Sequence, residues 1–323
     1  MDIRLEPPAW ATELLSDLTD MDRGAQPLEA GAGPIEYALP ADAYFEYAYR
    51  DAEGRVRADP DNPERGVSPW FPEVSALYGP AYRSDPLAAP DEALERGTTD
   101  RLRFESQALG ELRRATVYTP QGHEGAALPL VVVQDGVAFY RLGRVHLVAE
   151  ALLAEGAIRP ARFVFVEPRD RQAEYGFAPA YRRFLLEELL PLMDRDYPAT
   201  GERVWLGASL GGLVSATLAL EHPEVADAVV SFSGAFLGAP HEREYYRTER
   251  SWLLERLRAG ATPPRRWYLE VGTLEWLLDV NRQVRAELER LGAQHAYAER
   301  NAGHNWTNWK NGMSAALRYV LGA

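Results

Sequence analysis

One short stretch, Gly207-Ala208-Ser209-Leu210-Gly211, constrains this chain more than any other. It reads Gly-x-Ser-x-Gly with Gly212 behind it, and it lies between an apolar run, Val204-Trp205-Leu206, and a helical pattern from Leu213 to Leu220. The order is strand, tight turn, helix. In such a turn a serine is pushed out on a sharp bend, and a side chain two positions before or after it would clash, so glycines belong there. A helix that begins at the serine aims its free N–H groups at negative charge, as develops in acyl transfer. The stretch therefore predicts a nucleophile elbow. The competing reading is a glycine-rich β–α turn in which Ser209 merely caps the helix; the flanking strand and helix favour the elbow.

A serine nucleophile needs a base, and only six histidines are present. His222 follows the elbow helix, where it would satisfy terminal carbonyls. His146 sits in a helical pattern and His295 in a strand-like one. His123 lies in a turn-rich stretch, and His241 follows a proline. His304 stands apart, in Asn301-Ala302-Gly303-His304-Asn305-Trp306, between the strand-like Ala296-Tyr297-Ala298 and the last helical pattern. A base from the loop after the last strand is what an elbow of this kind uses, so His304 is the expected base.

The third member should be a carboxylate between serine and histidine in chain order. The buried-looking strand Trp267-Tyr268-Leu269-Glu270-Val271 runs into Gly272-Thr273-Leu274-Glu275. Glu275 would sit just past the strand's C-terminal end, where ligands bind in such sheets, and could orient the imidazole of His304. Asp279 is the rival, and Glu270, inside the strand, reads as structural. Of two backbone donors for an oxyanion, one should be the N–H of Leu210. The other should follow an earlier strand. Pro129-Leu130-Val131-Val132-Val133 runs into Gln134-Asp135-Gly136-Val137, which points to Val137 or Gly136.

The rest of the chain alternates strand-like runs with helical patterns, as a mostly parallel sheet requires. The runs are 115–118, 130–133, 163–166, 204–206, 228–232, 267–271 and 295–299. Helical patterns span 181–193, 274–291 and 309–321, the last with Trp309, Met313, Ala316, Leu317 and Val320 on one face. With 46% hydrophobic residues over 323 positions, the chain can build a large core. It has no cysteine, which excludes a disulfide, a cysteine nucleophile and a zinc–thiolate site. A formal charge of −13 disfavours nucleic acid as a partner. No run approaches membrane-spanning length. No apolar run follows Met1, so no signal peptide is read and a cytoplasmic location is expected.

Taken in order, these pieces resemble the enterochelin-esterase-like branch of the esterase D family of α/β-hydrolases. The matching stretches are Val131 to Gly136, Phe163 to Val166 with Arg171 to Tyr175 after it, Glu187 to Pro191, Gly207 to Gly212, Val271 to Glu275, and Gly303-His304-Asn305-Trp306 with Trp309. The resemblance covers residue 105 or so to the end. It implies an α/β-hydrolase fold with Ser209 as nucleophile, His304 as base and the acid at Glu275. A weaker match lies earlier: Tyr44-Phe45-Glu46-Tyr47-Ala48-Tyr49, a turn at Asp51-Ala52-Glu53-Gly54, and Asp59-Pro60-Asp61-Asn62-Pro63 resemble the immunoglobulin-like N-terminal domain of enterochelin esterases. The expected organisation is a small β-rich module and linker over 1–100 and a catalytic domain over 101–323.

The expected activity is ester hydrolysis through an acyl-enzyme, with no metal or organic cofactor. The partner is a small-molecule ester, and the resemblance suggests a catecholate siderophore lactone. Trp306, beside the base, Arg171, after the Phe163 strand, and Tyr140, after the oxyanion turn, are candidates for substrate binding. A generic carboxylesterase and a feruloyl-type esterase use the same residues, as does acyl transfer to another alcohol. A binding protein on a retired hydrolase fold is the alternative from a different class.

Overall fold

The computed structural model describes residues 1–322 apart from 30, 32, 95–96 and 243–247. By its internal packing the chain divides into two units. One comprises Met1–Asp85, Val271–Leu278 and Ala298–Asn311; the other comprises Pro86–Glu270, Asp279–Tyr297 and Gly312–Ala323.

The first unit opens with seven strands. They are β1 (Asp2–Leu5), β2 (Ala11–Ser16), β3 (Gln26–Pro27), β4 (Ile35–Ala38), β5 (Tyr44–Asp51), β6 (Val56–Arg57) and β7 (Ser75–Tyr78). β1 pairs with β4, and β3-β2-β5-β6 form a sheet in which β7 also pairs with β5; every pairing is antiparallel. β5 is the central strand and is buried on both faces. Phe45, Tyr47 and Tyr49 join Leu14 and Leu5 on one side. Tyr44 packs with Ala76 and Ala302 on the other. The alternation read in this strand is thus aromatic on both faces, with Glu46 buried among them.

The second unit is built on a sheet of eight strands. They are β8 (Thr98–Ser106), β9 (Glu111–Thr119), β10 (Leu128–Val133), β11 (Arg162–Val166), β12 (Ala199–Ala208), β13 (Ala228–Phe232), β14 (Arg266–Gly272) and β15 (Gln294–Arg300), in the order β15-β14-β13-β12-β10-β11-β9-β8. The last residues of β14 and β15 belong to the other unit. β10, β11, β12, β13 and β14 run parallel, and β9 and β8 are antiparallel additions. β10, β11 and β13 are buried along their whole length, as strands covered on both faces by helices must be. The elbow helix, Leu210–Glu221, is buried from Leu210 to Leu220, which explains why it is apolar all round.

Three sequence expectations shift. The helix read from Leu274 begins at Leu278, because the N–H groups of Gly272, Thr273 and Leu274 are given to Glu275, Arg300 and Ala302 instead of to a helical turn. The last helix begins at Trp306, three residues early, because Asn305 caps it: its Oδ1 accepts the N–H of Asn308 at 2.9 Å. The pattern at 181–193 is a helix at Pro179–Arg183, a π turn at Phe184–Leu189 and a helix at Leu190–Asp196. Pro191 lacks the N–H that an unbroken α-helix would need there. β8 carries no apolar run, since its residues outside Leu102 and Phe104 are polar or charged. Among the described residues no helix is long and apolar enough to cross a membrane.

Candidate active site

The elbow at Ser209 is a backbone device. Ser209 takes φ 56° and ψ −121°, a region that costs a non-glycine residue about 1–3 kcal/mol. Three hydrogen bonds hold it there. Its N–H donates to Phe232 O at 2.9 Å, and its carbonyl accepts from Leu213 and Ala235, both at 3.0 Å. The glycines are obligatory. A Cβ on Gly207 would lie 2.4 Å from the Gly211 carbonyl carbon, and one on Gly212 would lie 2.3 Å from Ser231 Oγ. Leu210 is the first residue of the helix, so its N–H has no intrahelical acceptor. The result is a half-buried serine at a helix N-terminus with the N–H of the next residue unclaimed by the helix.

Beside the elbow lies the turn after β10. Asp135 has φ 53°, and its N–H donates to Tyr175 Oη at 2.8 Å. Gly136 admits no side chain, since a Cβ there would lie 2.5 Å from Phe165 C. A Cβ on Gly211 would lie 3.0 Å from Asp135 Oδ2, so this turn packs directly on the elbow helix. The N–H of Val137 is engaged: it donates to Glu167 Oε2 at 2.8 Å. Arg171 is also committed. It forks onto both carboxylate oxygens of Asp135, at 2.7 and 2.9 Å, and reaches Ala208 O at 3.1 Å. It therefore ties the turn to the residue before Ser209. Tyr140 stacks on His146 with centroids 4.1 Å apart and planes at 4°, and its hydroxyl lies 3.4 Å from Thr99 Oγ1.

In the other unit His304 and Glu275 form a buried pair. Nδ1 of His304 lies 2.5 Å from Glu275 Oε2, and Glu275 Oε1 accepts the N–H of Gly272 at 2.7 Å. Both oxygens of the carboxylate thus have donors, which fixes its plane. Asp279 lies exposed in the first turn of the following helix. The imidazole sits among three indoles. Trp70 stacks on it at 5.0 Å and 17°, Trp276 lies at 4.7 Å, and Trp309 meets it edge-on at 5.1 Å. Trp306 is buried against Trp309, and its N–H donates to Val67 O at 3.1 Å.

The loop carrying His304 rests on buried acid. Asp17 Oδ2 accepts the N–H of Glu46 at 2.7 Å and Asn305 Nδ2 at 3.4 Å. A Cβ on Gly303 would fall 2.0 Å from Asp17 Cγ, so only glycine fits before His304. Glu46 Oε1 accepts Tyr44 Oη at 2.7 Å and Val67 N–H at 2.8 Å. Burial, reinforced by the neighbouring Glu46, pushes the Asp17 carboxyl well above the carboxylate range; burial raises Glu46 to about 7. Sequence reasoning missed Trp70, Trp276, Asp17 and Glu46. No spacing rule links residues 17, 46 and 70 to residue 304, though Gly303 was a signal of a crowded backbone. Among the described residues no group of three His, Asp or Glu side chains could hold a metal ion.

Known proteins resemble this chain in sequence and in fold. The family model described as "Putative esterase" matches residues 106–320, and the chain belongs to that esterase family of ester-bond hydrolases. An iron(III) enterobactin esterase of Dickeya dadantii is 27% identical over 287 residues, covering 82% of this chain and 65% of its own. The solved ferric enterobactin esterase of Salmonella typhimurium superposes with a TM-score of 0.78 at 20% identity, over 98% of this chain and 92% of that one. A ferulic acid esterase of Anaeromyces mucronatus superposes with a TM-score of 0.60 at 17% identity, over 73% of this chain and 95% of that one.

Proposed function

We propose that this protein is a serine esterase that hydrolyses its substrate through an acyl-enzyme, with Ser209 as nucleophile, His304 as base and Glu275 as the acid that orients it. The observation that carries the reading is the strained backbone of Ser209 at the head of a buried helix. Strain of this kind persists only where surrounding structure enforces it, and it presents the hydroxyl on the outside of the bend. The Glu275–His304 hydrogen bond supports the second half: Nδ1 holds the proton, which leaves Nε2 as the basic nitrogen.

In this mechanism Nε2 takes the proton of Ser209 Oγ as Oγ attacks the ester carbonyl. The oxyanion is held by the N–H of Leu210 and by that of Val137 or Gly136. When Val137 serves, the oxyanion displaces Glu167 from its N–H. The imidazolium then protonates the leaving alcohol, and a water molecule repeats the sequence to free the acid. No cofactor takes part.

For the substrate we propose an ester of the catecholate siderophore lactone type, with residues 1–100 acting as an immunoglobulin-like module attached to a catalytic domain over 101–323. Support comes from the likeness to enterobactin esterases, which spans 98% of the chain and so includes its first strands. A feruloyl ester is the second reading, supported by the ferulic acid esterase that matches 73% of the chain. The test is hydrolysis of a short p-nitrophenyl ester by the wild type, Ser209→Ala and His304→Ala. Each substitution should lower kcat at least about 10³-fold, and a fluorophosphonate should label the wild type at Ser209. A folded wild type that neither turns over the ester nor takes the label would favour the binding-protein alternative. With activity in hand, a catecholate trilactone and a feruloyl ester compete for the higher kcat/KM.

A further inference from the structure

The chain carries an excess of thirteen acids, and most of its arginines are paired with carboxylates. At one place three arginines without such a partner come together. A cavity of about 190 Å³ opens in the second unit beside the turn that carries Val137, walled by Arg101, Arg114 and Arg141 with Thr116 and Phe165 at its floor. None of the three arginines has a carboxylate partner among the described residues.

The sheet register puts them there. Arg101 of β8 faces Thr116 of β9, and Thr116 faces Phe165 of β11, so these share one face. On that face Arg103 lies directly opposite Arg114, with Arg101 on the diagonal. Like charges so placed on a sheet are destabilising. Arg141 adds a fourth guanidinium from the π turn at Phe139–Gly143. Among the described residues Glu167 itself lines the cavity, and Glu105 lies on the same face of β8 as Arg103. Glu167 is held by the Val137 N–H, and Glu105 is exposed two residues beyond Arg103; neither pairs with these arginines. All four guanidiniums are exposed and therefore open to a ligand, and their forks match a carboxylate bidentately. The turn lining the cavity, Gly136-Val137, follows Asp135, which packs on Gly211 of the elbow helix.

We infer that this cavity is a subsite for an anionic group carried by the ester substrate, with Arg101, Arg114 and Arg141 as its ligands. The inference rests on the esterase reading only for the word substrate. The test compares p-nitrophenyl valerate with mono-p-nitrophenyl glutarate, which share acyl length and differ by a terminal carboxylate. The wild type should prefer the glutarate ester, and added salt should erode that preference. In the double variant Arg101→Gln/Arg141→Gln, the ratio of kcat/KM for the anionic ester to that for the neutral one should fall about tenfold. A ratio equal in wild type and variant overturns the inference. Calorimetric titration with free glutarate separates the two ideas. If a folded wild type cleaves neither ester, the esterase reading falls; glutarate binding that is lost in the double variant then upholds the anion site, and no binding to the wild type overturns it.

Discussion

The elbow around Ser209 and the loop around His304 solve the same problem by opposite means. At the elbow the serine side chain is positioned by main chain. The constraints are a positive φ, three backbone hydrogen bonds and a glycine, Gly207, pressed against the backbone of Gly211. At the loop the imidazole is positioned by side chains: one carboxylate, three indoles and, beneath them, Asp17 and Glu46. A backbone device is specified by a few contiguous residues and tolerates almost no change. A side-chain device draws on residues far apart in sequence, and a second substitution can repair it.

The largest effect tests the side-chain half. Glu275→Gln keeps the shape of the acid but replaces one oxygen with an amide donor. Gly272 N–H and His304 Nδ1 then compete for the single acceptor that remains. The expected loss in kcat is about 10³- to 10⁴-fold with a folded protein, read by circular dichroism alongside ester hydrolysis. A loss below tenfold would mean that the pairing holds His304 for stability alone.

Stability then separates the halves. Gly207→Ala drives a Cβ into the Gly211 backbone and Gly303→Ala drives one into the Asp17 carboxyl. Both should lower Tm, by several kcal/mol in stability terms. Asp17→Ala should recover much of the loss caused by Gly303→Ala, because it removes the atoms struck. The same double-variant cycle with Gly207→Ala should be additive. Additivity in both cycles would erase the distinction between the two devices. A smaller effect belongs to Trp70, which is 42% exposed although it stacks on the imidazole. Trp70→Ala should change kcat by about 2- to 10-fold, the range of an aromatic pair, with little change in Tm. A Tm drop as large as that of Gly303→Ala would make Trp70 a structural residue.

The same contrast decides what was legible in the sequence. Gly-x-Ser-x-Gly between an apolar strand and an apolar helix can be read because its pattern is contiguous and its first glycine answers a clash with Gly211, four residues on. The parallel strands were legible for a similar reason, since burial on both faces writes an unbroken apolar run such as Leu130 to Val133. His304 and Glu275 could be singled out by chain order and by their place after strands. Their surroundings could not. Trp70 meets His304 across more than two hundred residues of chain, and Glu46 lies in a strand whose aromatics read as core. Arg171 shows what a place in the chain leaves out. Its place after a strand suggested a substrate contact, whereas its guanidinium is spent on Asp135 and Ala208.

The smallest predicted effect follows from the acids beneath the His304 loop. Glu46 is raised to about 7 from the 4.5 of a solvated glutamate, chiefly by burial, against the lowering hydrogen bonds from Tyr44 and Val67. An acid whose folded value lies above its unfolded one binds its proton more tightly when folded. Its contribution to stability is therefore complete below about 4.5 and is lost as pH rises through about 7. Asp17 is raised by burial and by the charge on Glu46, so it acts in the same direction. The acids lowered by arginines, such as Glu202 and Glu111, lose their contribution only below the ordinary carboxylate range, outside the window from pH 5 to 8. Tm should consequently fall between pH 5 and pH 8. Glu46→Gln retains an oxygen for Tyr44 and Val67 but cannot ionise, so its Tm should fall less steeply over the same interval. A slope as steep as that of the wild type would show that Glu46 does not hold the proton, leaving the loop to rest on Asp17 alone.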